Sequence, residues 1–276
     1  QLRDYQSPLP TMVRDAEGKP VHSYARERRV QLEYAEYPQL LVRAYLAAED
    51  RTFFEHGGID YPGIATAVIT NLSSSGRPVG ASTITQQVAK NLLLTNEVSY
   101  RRKIRELILA KRIEGALTKE QILELYLNEI PLGRRSFGVQ AAARAYFDKD
   151  VDQLALHEMA FLAILPKAPE TYGRARNAGK AMARRNFVLS EMFRNGWITA
   201  AQRGAAQAMP LGLTNSGNTA IAQVGGYYME EVRRQLIDQF GETSEDGPLS
   251  VYGGGLWVRT AYDGKMQTAA TMALRK

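Results

Sequence analysis

The sequence predicts a mainly α-helical protein with a short N-terminal β-hairpin. Three observations carry that reading. From Pro38 to about residue 210, apolar residues recur at helical spacing almost throughout. Cap signals recur at the starts of these stretches, with Thr118 followed by Gln121 and Thr199 by Gln202. Only residues 11–34 read as extended, with Met12-Val13 and Val21-His22-Ser23-Tyr24 flanking the turn-forming Asp15-Ala16-Glu17-Gly18.

The elements follow in order. Pro38 suits a first helical turn, and Leu41, Tyr45 and Ala48 form a stripe ending at Glu49. A helix is predicted over 61–72, then a polar loop, SSSGRP. Ser82 is the expected N-cap of a helix reaching Leu93. Further helices are expected at 100–117, from Thr118 to near Pro131, and at 139–146, 152–165 and 179–195. After roughly Pro210 a Gly, Asn and Ser-rich stretch leads to a helix at 223–240, a strand at 256–261 and a helix at 266–274. The expected division is 1–37 as hairpin and linker, 38–210 as the main domain, and 211–276 as a linker and the start of another domain.

Composition bounds the chemistry. The 276 residues are 45% apolar and 23% charged, which suits a globular chain. A net charge of +6 fits nucleic acid, an anionic membrane or a phosphorylated substrate equally well. The absence of cysteine excludes disulfides and thiolate nucleophiles, and His22, His56 and His157 are too scattered for a zinc site. The chain opens on Gln1 without a signal peptide or spanning segment, so a processed or trimmed protein is expected.

Two glutamates carry most of the chemistry. Glu49 closes an apolar stripe, where partial desolvation raises a carboxyl pKa and makes a proton acceptor near neutrality. Pairing with Arg51 or His56 is the bland alternative, but EDRTFFEHGGID has more polar specification than a fold requires. In GASTITQQVAKN, helical geometry puts Ile84, Val88 and Leu92 in the core and Thr83, Gln87, Lys90 and Asn91 on the other face. A helix start there offers free N–H groups to phosphate. Arg102, Lys103 and Glu106 share a helical face, which is either a surface ion pair worth about 0.3–0.5 kcal/mol or an acid held by pyrophosphate-binding cations. Asn128, Glu158 and Lys167 are polar exceptions in otherwise core-like helices.

EDRTFFEHGGID, GASTITQQVAKN, RKIRELILAKRIE, KEQILELYLNEIPLGRRSFGVQAAARAYFDK and AFLAILPKAP, from Glu49 to Asn177, resemble in order the motifs of glycosyltransferase family 51. These peptidoglycan glycosyltransferases occur alone or as the N-terminal half of class A penicillin-binding proteins. The resemblance implies a lysozyme-like helical domain on the outer face of the cytoplasmic membrane, following a membrane anchor ahead of Gln1. It implies polymerisation of lipid II onto a growing glycan strand, with inversion and release of undecaprenyl pyrophosphate. Glu49 is then the general base on the acceptor GlcNAc 4-hydroxyl, and Glu106 the second acid, assisting the leaving group or orienting substrate or metal. Asp50, Ser82, Gln87, Lys90, Asn91, Arg102, Lys103 and Lys167 are the implied substrate-binding residues. Either a divalent metal (Mg or Mn) or Arg102 and Lys103 must offset the charge of Glu106; no organic cofactor is expected. Implied partners are lipid II, the membrane surface, moenomycin-type inhibitors and other cell-wall synthesis proteins, not nucleic acid.

This chain departs from the family pattern at Val98, where many relatives carry a basic residue, and at Gly173-Arg174, where they carry Asn-Pro. The tail LWVRTAYDGKMQTAATMAL resembles the start of a transpeptidase domain, a truncated α+β domain here, and no S-x-x-K or K-T-G motif is present. Residues 64–72 and the following loop are expected to dip into the membrane interface. A lysozyme-like hydrolase and a silent lipid-pyrophosphate or nucleic-acid binder are the competing readings; single-strand stacking motifs are absent.

Overall fold

A computed structural model describes residues 11–24, 30–73, 82–93, 99–214, 226–243 and 246–274. The chain forms two compact units, residues 30–214 and residues 1–29 with 215–276. This replaces the three-part division expected from sequence. The reason is strand pairing: β1 (Thr11–Arg14) joins β2 (Pro20–Tyr24) antiparallel and β3 (Trp257–Arg259) parallel, in the order β2-β1-β3. The hairpin is therefore built into the same unit as the C-terminal segment. The extended reading of residues 11–34 also ends early, since residues 34–36 form a single 3-10 turn. Helices α11 (Gly226–Phe240) and α12 (Gly264–Leu274) belong to this smaller unit, whose core gathers Val13, Tyr24, Met229, Leu236, Val251 and Tyr262.

The larger unit is helical. Its elements are α1 (Gln39–Glu49), α2 (Tyr61–Ser73), α3 (Ile84–Leu93), α4 (Tyr100–Ala116), α5 (Lys119–Glu129), α6 (Val139–Phe147), α7 (Leu156–Leu162), α8 (Pro169–Tyr172), α9 (Ala178–Arg194) and α10 (Ala200–Ala208). Pro38 sits at the N-cap of α1 rather than inside its first turn. The single helix expected over 152–165 is broken: a 3-10 turn covers Val151–Gln153, and Glu158 accepts the Ala155 N–H to start α7 afresh. Both predicted capping boxes are present, at Thr118/Gln121 and Thr199/Gln202. Leu41, Tyr45, Ile84, Ile113, Ile122, Leu123, Phe161 and Leu189 are fully or almost fully buried and form the centre of this core.

Two of the polar exceptions serve the fold. Asn128 is buried at the end of α5, where its Oδ1 accepts from the Leu32 N–H (3.0 Å) and the Tyr37 hydroxyl (2.8 Å) while its Nδ2 donates to the Leu32 carbonyl. It pins the chain as it enters the unit. Glu158 receives Lys149 Nζ at 2.8 Å.

The turn after α5 has a steric requirement. Gly138 has φ +80°, and a Cβ there would lie 2.4 Å from the Asn128 carbonyl oxygen. Gly196 also has a positive φ, +69°, but nothing lies within 4 Å of its would-be Cβ. Gly196→Ala should cost about 1–2 kcal/mol from backbone strain alone. Gly138→Ala should cost roughly 2 kcal/mol more, because overpacking adds to that strain. Urea denaturation of the two variants checks this ranking.

Candidate active site

The site is built around the start of α3. Asp50, the residue after α1, accepts the Ile84 N–H at 2.9 Å through Oδ2. Thr83 Oγ1 accepts the Gln86 N–H at 3.2 Å and donates to the Gly58 carbonyl at 2.7 Å. The expected Ser82 cap is therefore replaced by Thr83 and Asp50. Helix-start donors expected to face phosphate are partly filled by a carboxylate of the protein itself. Ser82 instead accepts from Lys103 Nζ at 3.0 Å.

Glu49 ends α1 one turn beyond the buried Tyr45 and accepts a 2.8 Å hydrogen bond from Gln87 Nε2 through Oε2. Burial pushes its carboxyl up from the ordinary carboxylate range. The Gln87 hydrogen bond and the charges of Arg184 and Lys167 pull the other way, while Asp50 pushes in the direction of burial. His56 pairs with Asp50 at 2.9 Å, not with Glu49. Asp50, an implied substrate contact, thus has its oxygens engaged within the protein.

Glu106 lies on α4 and is buried. Its Oε1 receives Lys103 Nζ at 2.5 Å, and Arg102 Nη1 stands 3.9 Å from its Oε2. Lys103 also reaches Gln86 Oε1 at 3.3 Å. Both acids are tied to the start of α3: Glu49 binds Gln87, and Glu106 is linked through Lys103 to Gln86 and Ser82. An open cleft of about 520 Å³ runs past Glu49, Asp50, His56, Asp60, Ser82 and Thr83 and along α2.

The outer residues are arranged unequally. Lys90 is exposed one turn beyond Gln87 on α3, and Asn91 is exposed beside it. Lys167 is exposed at the end of the 3-10 turn Leu165–Lys167, close enough to Glu49 for its charge to act there. Arg184 on α9 does the same and was not singled out from sequence. Its signal was faint: in the Arg184-Arg185 pair one side chain must turn inward, and Arg185 is the one fully buried, on the Gln207, Met209 and Pro210 carbonyls. The polar face of α3 is also more buried than its composition suggests, since Thr83, Thr85 and Gln86 are enclosed. Val98 lies outside the described residues.

The surroundings of Glu106 do not fit a divalent metal, because one oxygen is taken by an ammonium and a guanidinium stands 3.9 Å from the other, so a dication there would meet two positive charges. Among the described residues no group of three His, Asp or Glu side chains is placed to hold one. Lys103 and Arg102 place positive charge beside Glu106.

A buried carboxylate at the edge of an open cleft, with a second carboxylate and two cations tied to the neighbouring helix start, suits chemistry on an anionic sugar substrate. The sequence profile of the Transglycosylase family matches residues 17–193, so the chain belongs to the transglycosylase family. Similar proteins include penicillin-binding protein 1A of Rickettsia felis, 43% identical over 100% of this chain and 35% of the relative. Penicillin-binding protein 1A of Escherichia coli is 42% identical over 99% of this chain and 31% of the relative. The crystal structure of penicillin-binding protein 1A from Haemophilus influenzae matches with a TM-score of 0.55 at 27% identity, covering 98% of this chain and 29% of that one. The chain spans about a third of the length of the curated relatives it matches.

The raised pKa of Glu49 has a consequence for stability. A carboxyl raised in the folded state stabilises the fold below its unfolded pKa, and that contribution is lost as pH rises through the folded value. Ionised Glu49 is therefore a burden at neutral pH. Glu49→Gln, whose amide oxygen can still accept from Gln87, should raise the thermal midpoint at pH 8 by about 2–4 °C. The difference should vanish near pH 4, as calorimetry at the two pH values would show.

Proposed function

We propose that this chain polymerises lipid II as a peptidoglycan glycosyltransferase, with Glu49 as general base. The observation that carries the reading is the unequal bonding of the two acids. Glu49 is bonded to a neutral amide, which fixes Oε2 without neutralising it and leaves Oε1 for a proton. Glu106 is bonded to cations. A base is needed where the acceptor hydroxyl loses its proton, and cations are needed where pyrophosphate charge develops.

In the proposed reaction the acceptor GlcNAc 4-hydroxyl attacks MurNAc C1 of the growing strand as Glu49 takes its proton. The C1–O bond to pyrophosphate breaks with inversion, and undecaprenyl pyrophosphate leaves with the electron pair. Lys103, Arg102 and Ser82 face the pyrophosphate, and Glu106 aims the two cations. Gln87 orients the base; Lys90, Asn91 and Lys167 bind sugar and phosphate along the cleft. Asp50 holds the site together instead of touching substrate.

A lipid substrate requires a membrane surface, and α2 presents one suitable face: Tyr61, Val68, Ile69 and Leu72 are all more than half exposed. No helix among the described residues is long and apolar enough to cross a membrane. The exposed face of α2 supports attachment to a membrane surface; we place that surface at the outer face of the inner membrane, where moenomycin-type inhibitors and other cell-wall synthesis proteins would meet the site.

Incubation with lipid II tests the reading against a lysozyme-like hydrolase. Long glycan strands are expected, with existing peptidoglycan left intact; digestion of that peptidoglycan would favour the hydrolase. Glu49→Gln should cut polymerisation by about 10²–10⁴-fold while leaving lipid II binding in place. Lys90→Ala should instead weaken binding, with a smaller effect on kcat, in filter-binding and rate measurements.

A further inference from the structure

We propose that Lys119, at the first turn of α5, is a positioning residue that holds the hydrogen bond between Gln87 and Glu49. The proposal rests on the reading of Glu49 as the base. Lys119 does not touch Glu49. Its Nζ donates to the His56 carbonyl at 2.6 Å and to Glu114 Oε1 at 2.8 Å, and lies 4.2 Å from the centre of the Phe53 ring. These three partners fasten the loop after Glu49 to α4 and α5.

The fastening continues inward through His56. The Gly58 N–H donates to His56 Nδ1 at 3.1 Å, so the other ring nitrogen, Nε2, carries the hydrogen that points at Asp50. Asp50, held from that side, caps α3 at Ile84. Gln87 is three residues further along the same helix, and its amide reaches Glu49 only when that helix start is seated and correctly rotated. Glu114 fixes the same helix from behind by accepting from Thr85 Oγ1 at 2.6 Å. The loop cannot slide to absorb a loss, because Gly58 (φ +88°) lies against the Ala110 carbonyl with no room for a Cβ. The ammonium of Lys119 and the carboxylate of Glu114 thus act as one bolt on both sides of the α3 start.

The readout is the titration of Glu49, which Gln87 pulls downward and which is also faced by Asp50, Lys167, Arg184, Tyr45 and Tyr126. None of those groups is altered in the test. Lys119→Met and Glu114→Gln are made in the full chain, and the glutamate carboxylates are titrated by 13C NMR, with Glu49 assigned by its loss in Glu49→Gln. Loosening of the Gln87 bond should raise the Glu49 midpoint by about half a pH unit or more in both variants. Through-space charge alone would move them in opposite directions, up for the lost cation and down for the lost anion. In lipid II polymerisation kcat should fall about tenfold near neutral pH with KM within twofold, and Lys119→Arg should recover most of the loss. An unchanged Glu49 titration, opposite shifts in the two variants, or a raised KM at unchanged kcat would overturn the proposal. If Lys119→Met does not fold, Glu114→Gln decides by the sign of its shift. A wild-type chain that fails to polymerise lipid II would defeat the reading of function, and the titration would still decide the positioning role.

Discussion

One hydrogen bond organises the site: Asp50 Oδ2 accepts the Ile84 N–H at 2.9 Å. It places a carboxylate of the α1–α2 connection at the positive end of α3, so the segment carrying Glu49 and the segment carrying Gln86 and Gln87 are locked in one register. Because Asp50 follows Glu49 directly, seating the cap also seats Glu49. Removing the cap would leave a helix-start donor unsatisfied in a buried place and a carboxylate facing only His56, both costly in a low-dielectric surrounding.

The same arrangement puts the two acids in different surroundings. Glu49 keeps its charge at some cost, because burial opposes ionisation and only an amide and more distant cations relieve it. In the proposed role that tension suits Glu49 to take a proton, and it sets function against stability at this position. Glu106 is paired at contact distance with Lys103, and Arg102 stands 3.9 Å from its other oxygen. Lys103 ties α4 to the start of α3 by touching Ser82, Gln86 and Glu106 at once.

Much of this was legible in the sequence where local rules decide. The α1, α4, α5 and α9 boundaries follow from apolar period, caps and glycines, and the two capping boxes are local hydrogen-bond patterns. What local rules miss is where a polar side chain spends its hydrogen bonds. Ser82 looked like the cap of α3, but a carboxylate thirty-four residues earlier in the chain took one donor and Thr83 another. Asp50 looked like a ligand for the same reason: its partners, His56 and Ile84, are identified only by the fold. The pairing of β1 with β3 joins residues more than 240 positions apart, and no periodicity within either segment encodes it. Arg184 stayed hidden in a charged stretch of α9 because helical spacing does not say which of two adjacent arginines turns toward Glu49.

In the proposed reaction the α3 start brings Glu49 and the cations for pyrophosphate to one substrate. A crystal structure of the chain with an unreactive lipid II analogue tests it most directly. The acceptor 4-hydroxyl is expected within about 2.6–3.2 Å of Glu49 and the donor pyrophosphate on Lys103 and Arg102. Pyrophosphate bound away from α4, or an acceptor hydroxyl outside the reach of Glu49, would contradict it.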